Sequence, residues 1–430
     1  MQFKKPLLLF IASVFVLGIL GFSIWYRWNT DQKLAQQRIP ELTPSAEFNH
    51  RSPQIGDVAI SPVNSDLIAS VGPITSDTFT SNGEGSVLKA WDPRDNKGSS
   101  IKVWNRNNTK TPVLTLIDHR GKDDRGFNMI DYIAFSAMGE RLISRNASTL
   151  VFWDAASGAK IDVFDIPYGT AAFSPNGHLL ATASNDIKLW DIRNLKEIKP
   201  IVVLPPKMGG QPLSHEEARS ARHHNETIYE RYDLVDFSSD GKWIAAGGSM
   251  NKFNNIGQGV VKIWDLQHRQ LVKIFPRELP KGVEIKPKTD YTDIQSIKFS
   301  PDNRFFASVG SYGYTIWTLP GWYIHCNVRA QTAGEPIFFL LDDGTQIGTG
   351  VGEPVQFFKD LAFSPDGKMY AVAESRTVTL YSTESGTPIA LLNGGRFLDV
   401  VKFSQDGSTL VSGGIDGIVR LWGVGGLNEK

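Results

Sequence analysis

The sequence contains very little cysteine and no excess charge of either sign. Its 430 residues include one Cys, which excludes an internal disulfide framework and any Cys-based zinc or iron–sulfur site. The 45 Lys and Arg residues balance the 45 Asp and Glu residues. Nucleic-acid-binding proteins usually carry a clustered positive excess, so we expect no nucleic-acid partner.

Motifs for catalysis or cofactor binding are also missing. There is no Gly-x-Ser-x-Gly elbow, and the Gly-rich SNGEGS segment at 81–86 lacks the Lys-Ser/Thr of a phosphate-binding loop. Cys326 falls in a predicted strand without a nearby catalytic partner, which favours a packing role. We therefore predict no catalytic residues, no cofactor and no resident metal.

One long apolar run is present, at residues 6–26. As a helix it would span about 32 Å, which matches a bilayer hydrocarbon core of about 30 Å. Lys4 and Lys5 precede the run, and Trp25 to Trp28 close it with aromatic side chains and one Arg. The run predicts a transmembrane signal anchor in contact with the lipid bilayer, and the alternative is a cleaved signal peptide.

The charges around this run predict the topology. Residues 1–5 form a short cytoplasmic tail, because positively charged flanks stay inside. Residues 27–43 form a polar linker, and everything after it lies outside the cytoplasm, in the periplasm if the cell is bacterial. Cleavage would instead give a secreted protein. A third alternative keeps the C-terminal part cytoplasmic with the N-terminus outside.

The remainder of the chain is filled by seven copies of one strand–turn–strand unit. Each copy has an alternating strand, a Phe (Ile60 in the first copy), a Ser, a turn rich in Pro, Asp, Asn and Gly, and a second strand of small and apolar residues. The copies begin at Asp57, Tyr132, Thr170, Leu234, Ser296, Asp360 and Val400. A third strand follows each copy and ends in Trp, or in Tyr381 once.

These repeats resemble the WD-repeat β-propeller family over about residues 45–424. The Trp-Asp pair itself occurs at Trp153, Trp190 and Trp264, and at Trp91 in an inserted segment. The family's Gly-His pair ahead of the first strand is missing in every copy, so its His-centred hydrogen-bond network cannot be carried over. The resemblance implies an all-β, seven-bladed β-propeller over residues 44–424, followed by a short tail at 425–430.

The repeated aromatic residues are predicted to form the core between blades rather than a cofactor site. They are Phe135, Phe173, Phe237, Phe299, Phe363, Phe403, Trp104, Trp153, Trp190, Trp264, Trp317 and Trp422.

The last copy lacks its own outer strand, and we predict that residues 44–55 supply it and close the ring. Residues 336–350 resemble a degraded hairpin of the same type, and we interpret them as an insertion. An eight-bladed ring is the alternative.

Long insertions fall on one side of the predicted propeller. If the strands of a blade are called a, b, c and d from the centre outwards, the b–c and d–a loops share one face. The insertions at 72–100, 118–129, 205–231, 249–259, 277–292 and 330–357 all belong to that face. We therefore expect protein partners to bind this loop-rich face, which points away from the membrane.

Two clusters invite a chemical interpretation. Five acids near the start of strand a could ring the channel mouth and bind a cation or a basic segment: Asp57, Asp131, Asp233, Asp360 and Asp399. The alternative is that they accept hydrogen bonds from backbone N–H groups. Residues 214–224 predict a short solvated helix with weak partner-binding candidates at Arg219, Arg222, His223 and His224.

The sequence thus predicts a non-catalytic, membrane-tethered scaffold for protein–protein interaction. The alternative is a propeller enzyme, or a sensor of a small ligand or cation, that acts at the channel mouth.

Overall fold

The computed structural model describes residues 40–50, 52, 54–73, 99–116, 130–146, 149–165, 170–184, 186–193, 200–204, 229–252, 255–276, 294–310, 313–319, 321, 324–329, 337–340, 346–350, 358–374, 376–393 and 398–427. The chain divides into two units, Met1–Glu41 and Leu42–Lys430. Of the first unit only Pro40 and Glu41 are described, so the predicted helix at 6–26 lies outside the described residues. None of the described segments is a helix long and apolar enough to cross a membrane.

All regular secondary structure in the described ranges is β. The strands are β1 (Glu41–Leu42), β2 (Ala46–Asn49), β3 (Asp57–Ile60), β4 (Leu67–Pro73), β5 (Ser99–Asn105), β6 (Leu114–Leu116), β7 (Tyr132–Phe135), β8 (Arg141–Arg145), β9 (Thr149–Asp154), β10 (Lys160–Asp165), β11 (Thr170–Phe173), β12 (Leu179–Ala183), β13 (Ile187–Asp191), β14 (Pro200–Leu204), β15 (Tyr229–Phe237), β16 (Trp243–Lys252), β17 (Asn255–Asp265), β18 (Gln270–Pro276), β19 (Ile294–Phe299), β20 (Phe305–Gly310), β21 (Gly313–Thr318), β22 (Ile324–Arg329), β23 (Ile337–Leu340), β24 (Gln346–Gly350), β25 (Asp360–Phe363), β26 (Met369–Ala373), β27 (Thr377–Ser382), β28 (Pro388–Asn393), β29 (Leu398–Phe403), β30 (Thr409–Gly414) and β31 (Ile418–Gly423).

These strands form seven antiparallel blades, each ordered a to d. Blades 1 to 4 are β3–β6, β7–β10, β11–β14 and β15–β18. Blade 5 is β19–β22, blade 6 is β25–β28, and blade 7 is β29–β31 with β2 as its strand d. Strand a of one blade contacts strand a of the next, as β3 contacts both β7 and β29, so the a strands surround the centre. The predicted seven-bladed fold is confirmed.

A repeated side-chain bridge shapes the turn between strands a and b. In blade 6, Ser364 Oγ accepts a hydrogen bond from Met369 N at 2.9 Å and donates one to Asp366 Oδ1 at 2.6 Å. Gly367 in this turn has φ +69°. A Cβ added there would lie 2.3 Å from Asp302 Oδ2 in the neighbouring turn, so this position requires glycine. Local hydrogen bonds of this kind favour a tight turn over continued strand.

The core consists of apolar layers between neighbouring blades. The described residues form seven buried clusters, one for each of the seven pairs of neighbours. A single blade could bury neither face, so stacking around a ring provides the hydrophobic stabilisation. The cluster between blades 7 and 1 joins residues from the two ends of the propeller, including Phe48 and Trp104, whose ring centroids are 5.3 Å apart.

The ring closes as predicted. β2 pairs antiparallel with β31, with Ala46 opposite Leu421 and Asn49 opposite Ile418. The segment after β2 continues the seam, because Ile55 N donates to Gly414 O in blade 7 and Gly56 N donates to Val71 O in blade 1. An eight-bladed ring is wrong. The hairpin formed by β23 and β24 pairs with β22, with Asn327 opposite Leu340, and so widens blade 5 outwards.

The insertion predicted as a degraded hairpin at 336–350 is a hairpin, formed by residues 337–340 and 346–350, and it widens blade 5 outwards. Two other predicted insertions, 205–231 and 249–259, are wrong as loops where they are described. Their residues 229–231, 249–252 and 255–259 belong to β15, β16 and β17, which continue beyond the common blade length. Tyr229 pairs with Asn251, and Lys252 pairs with Asn255. Blade 4 thus projects a three-stranded extension on the side of the b–c and d–a connections.

Candidate functional site

A hydrogen bond from strand c to strand b recurs inside the blades. In four blades the Trp Nε1 donates to a buried hydroxyl on strand b, two residues after the residue that pairs with the Trp. The pairs are Trp104–Ser70 at 2.8 Å, Trp153–Ser144 at 2.8 Å, Trp190–Thr182 at 2.9 Å and Trp422–Ser412 at 3.0 Å. The Trp side chain therefore packs between blades and also satisfies its one polar atom.

Blades 4 and 6 depart from this pattern. Blade 4 has Ala246 at the hydroxyl position, and the buried Trp264 Nε1 has no hydrogen-bond partner. Blade 6 has Tyr381 in place of Trp, and its hydroxyl donates to Glu374 Oε1 at 3.3 Å. Burial raises the pKa of Glu374 to about 7, although hydroxyl hydrogen bonds from Thr379 and Tyr381 oppose this shift.

The repeated aromatic residues all belong to the propeller core. Trp104, Trp153, Trp264 and Trp422 are buried, and so are Phe237, Phe299 and Phe363. Phe135, Phe173, Phe403, Trp190 and Trp317 are half-buried and pack against the clusters between blades.

One buried histidine contacts a repeat tryptophan, although the family's Gly-His pair is missing from every copy. His50 is buried beside Trp104, with ring centroids 6.5 Å apart. Burial, together with the positive charge of the nearby Lys102, lowers the pKa of His50 to about 3. His50 follows Asn49 rather than Gly, so a search for the Gly-His pair misses it.

The central channel contains a carboxylate that connects three blades. Asp57 Oδ1 accepts hydrogen bonds from Val58 N at 2.8 Å and from Lys402 Nζ in blade 7 at 2.8 Å. Asp57 Oδ2 accepts one from Ile133 N in blade 2 at 2.9 Å. Strand a is an edge strand with backbone N–H groups not used by strand b, and the carboxylate satisfies one of them in the next blade.

Two further carboxylates link blades in the same way. Asp360 Oδ2 in blade 6 accepts from Val401 N in blade 7 at 3.1 Å, and Asp236 Oδ2 in blade 4 accepts from Phe299 N in blade 5 at 2.9 Å. Asp360 Oδ1 also accepts from Ser296 Oγ in blade 5 at 2.7 Å. The carboxylates therefore join neighbouring blades through backbone N–H groups.

Two lysines provide the positive charges of this channel network. Lys298 and Lys402 lie two residues before the repeat's Ser, where four other blades carry Ala. Burial alone would lower the pKa of Lys298, but the carboxylates of Asp236, Asp360 and Asp57 outweigh burial and raise it. Burial raises the pKa of Asp236 against the attraction of Lys298. Asp236 and both lysines are not among the predicted channel residues, although charged residues at a strand position where other blades carry Ala are a visible signal.

The five predicted channel acids do not form one group. Asp57 and Asp360 are buried and accept backbone N–H bonds, which was the alternative to a cation site. Asp131 lies five residues before the Ser of its repeat, whereas Asp57 and Asp360 lie four residues before theirs. It forms an ion pair with Arg145 at 2.7 Å. Asp233 and Asp399 fall at irregularities in the a–b register, and Asp399 accepts from Gln54 Nε2 at 3.3 Å.

No group of three or more His, Cys, Asp or Glu side chains is placed to hold a metal within the described part of the chain. The cation-sensor alternative therefore stays a prediction. The partner-binding candidates Arg219, Arg222, His223 and His224 lie outside the described residues.

Two segments of the chain match the family profile described as WD domain, G-beta repeat: residues 168–191 and 387–423. The first spans strands a to c of blade 3, and the second spans strand d of blade 6 and strands a to c of blade 7. These matches support the resemblance of the chain to the WD-repeat family. WD-repeat propellers typically act as scaffolds that bind protein partners, and they are generally non-catalytic.

Two curated proteins are similar to parts of this WD-repeat chain. The "Telomerase protein component 1" of Rattus norvegicus is 27% identical over 187 residues, which is 38% of this chain and 7% of that protein. The "Pre-mRNA-processing factor 19 homolog 2" of Arabidopsis thaliana is 36% identical over 77 residues, which is 16% of this chain and 15% of that protein. The chain spans only these small fractions of its relatives.

Proposed function

We propose that this WD-repeat chain is a membrane-tethered, non-catalytic scaffold that binds protein partners through its loop-rich face. The observation that carries the proposal is the one-sided placement of the longest connections. The connections after β4, β6, β14 and β18 all leave the b–c and d–a side, and the extension of blade 4 projects there too. A rigid ring that carries variable segments on one face is a common design for a binding surface.

The tether rests on the apolar run at residues 6–26. β2 runs antiparallel to β31, so the chain enters the propeller at the side of the short a–b and c–d turns. Because β2 begins at that side, we propose that the short-turn side faces the bilayer and the loop-rich face points away from it. Tethering would raise the effective concentration of a partner near the membrane. The balanced charge supports a protein partner rather than a nucleic acid.

Protease protection in sealed vesicles tests the placement. With the cytoplasmic side outwards, we expect the propeller to resist protease until detergent is added, because it lies in the lumen. Digestion of the propeller without detergent would contradict an extracytoplasmic location. An N-terminus shortened at the end of the apolar run would show a secreted protein instead of an anchored one.

Quantitative affinity capture tests the face. The full-length protein, extracted from membranes, is compared with a variant that lacks residues 205–228, which spares β15. Met138→Lys is the matched control, because Met138 is 71% exposed on an a–b turn of the opposite side. We expect partners that the deletion loses and the control retains. Equal recovery by the deletion variant, or loss with the control, would contradict the assignment of the face.

A further inference from the structure

The turn between strands b and c of blade 6 contains a buried acid at a position that blade 2 fills with a neutral amide. Glu374 directly follows β26 and is 6% exposed, and Asn146 directly follows β8 and is 1% exposed. Each lies seven residues before the aromatic residue of strand c, which is Tyr381 in blade 6 and Trp153 in blade 2. The two side chains therefore occupy equivalent places in their blades.

The two turns share a backbone hydrogen bond. Glu374 N donates to Thr377 O at 2.9 Å, and Asn146 N donates to Thr149 O at 3.1 Å. In blade 2 the side chain also closes the turn, because Asn146 Oδ1 accepts from Thr149 N at 2.8 Å and from Thr149 Oγ1 at 2.7 Å. In blade 6 the side-chain contacts are longer, since Glu374 accepts from Thr377 Oγ1 at 3.4 Å and from Tyr381 Oη at 3.3 Å. The neutral side chain thus closes its turn more tightly than the acid does.

The acid in the b–c turn of blade 7 has a cation beside it, and Glu374 has none among the described residues. Asp416 Oδ2 lies 2.8 Å from Arg420 Nη1, and Arg420 lies two residues before the Trp of strand c. Blade 6 has Thr379 at that position. The hydrogen bonds to the carboxyl of Glu374 come instead from three hydroxyl groups. A buried carboxylate with hydroxyl partners alone is costly, so this environment favours the neutral acid.

Other titratable groups on the elements around Glu374 do not supply the missing charge. In the ranges that the structure describes, they are Lys359 and Asp360 at the start of β25, Arg376 in the turn, and the clustered Tyr314, Tyr370 and Tyr381. The charge of Lys359 favours the ionised form of Asp399, and Arg376 is exposed. Asp360 accepts hydrogen bonds from blades 5 and 7. The charged groups therefore act elsewhere.

We propose that the b–c turn of blade 6 is a pH switch, which is closed while Glu374 is protonated and shifts towards an open form when Glu374 ionises. The protonated carboxyl has a donor and an acceptor, as the amide of Asn146 has. The carboxylate only accepts hydrogen bonds, and it regains water when the bond from Glu374 N to Thr377 O breaks. Burial raises the pKa of Glu374 to about 7, so the switch responds near neutral pH.

The turn lies on the b–c side of the ring, so its opening would alter the loop-rich face. This consequence rests on the proposed function, in which the propeller lies outside the cytoplasm and meets the pH of the surroundings. The switch itself needs neither a partner nor the membrane. A failed switch would therefore leave the proposed function standing, and the reverse also holds.

Hydrogen–deuterium exchange of the full-length chain, read at single residues by mass spectrometry, tests the switch. Protection factors are measured at pH 5.5 and pH 8.5, after correction for the intrinsic pH dependence of exchange. The readout is the Glu374 amide, because its bond to Thr377 O breaks when the turn opens. The Asn146 amide is the matched internal control, since it makes the same bond beside a side chain that does not titrate.

The expected change follows from the two forms of the turn. With a pKa of about 7 in the closed turn and about 4.5 in the open turn, the opening equilibrium rises about thirtyfold between pH 5.5 and pH 8.5. Protection of the Glu374 amide should fall by the same factor. Protection should change less than about threefold at Asn146 and at Ala371, which lies in the middle of β26 and pairs with both neighbouring strands.

Glu374→Gln should remove the pH dependence at position 374, because its amide cannot ionise. Three results would overturn the proposal: equal protection of Glu374 at both pH values, the same fall in Glu374→Gln, or an equal fall at Ala371. The last result would show that the whole blade unfolds and that the turn does not open by itself.

Discussion

Loss of the Asp57 carboxylate should weaken the propeller more than loss of any other predicted channel acid. Asp57→Asn removes the negative charge that pairs with Lys402. It also replaces a carboxylate, which only accepts hydrogen bonds, by an amide next to the donors Val58 N and Lys402 Nζ. Breaking a buried ion pair costs about 3–5 kcal/mol. Because Lys402 is 30% exposed and can regain water, we expect a smaller loss, about 2–3 kcal/mol.

Urea unfolding followed by tryptophan fluorescence measures this loss. Asp399→Asn is the matched control, since Asp399 contacts Gln54 at 3.3 Å and links no second blade through a backbone N–H in the described residues. We expect it to cost less than about 1 kcal/mol. Lys402→Met combined with Asp57→Asn should cost less than the sum of the single changes, because neither charge is then left unpaired. Equal costs for Asp57→Asn and Asp399→Asn, or strict additivity in the double variant, would refute the interblade clamp.

Three further predictions concern single blades. The pKa of Glu374 lies near 7 in the folded state and near 4.5 in the unfolded state, so the folded state holds more protons between these values. The free energy of unfolding should therefore fall by about 3 kcal/mol as the pH rises from 4 to 8. Glu374→Gln should remove this pH dependence in unfolding titrations, and an unchanged pH dependence would contradict the assignment. Ala246→Ser should raise the free energy of unfolding by about 1 kcal/mol, because the new hydroxyl can accept from the orphaned Trp264 Nε1; a destabilised variant would show that the site lacks room. Gly367→Ala should destabilise by about 1–3 kcal/mol because of its positive φ and the nearby Asp302 carboxylate, and a neutral thermal shift would contradict the turn geometry.

The repeats made the ring predictable from sequence, because each copy carries its own strand pattern and turn residues. The Ser-x-Asp-Gly turn encodes its geometry locally, as Ser364 and Gly367 show. Ring closure followed from counting strands, since the last copy lacked strand d and an unassigned strand preceded the first copy.

The contacts in the channel could not be predicted, because they depend on register and on distant residues. Asp57 and Lys402 are 345 positions apart in the chain. Asp399 differs from Asp57 by one residue in its spacing to the Ser, and a one-residue shift turns a side chain to the other side of a strand. The extension of blade 4 also had no local signal, because pairing of Tyr229 with Asn251 sets it.

The closed ring is the claim on which the loop-rich face depends, and disulfide trapping across its seam tests it most directly. In a Cys326→Ser background, Asn49→Cys and Ile418→Cys place two thiols directly opposite each other on β2 and β31. We expect mild oxidation to join them, with the linked peptides identified by mass spectrometry. The shifted pair Asn49→Cys and Val419→Cys should stay reduced, because its side chains lie on opposite sides of the sheet. Trapping of the shifted pair, or of neither pair, would contradict the closed ring.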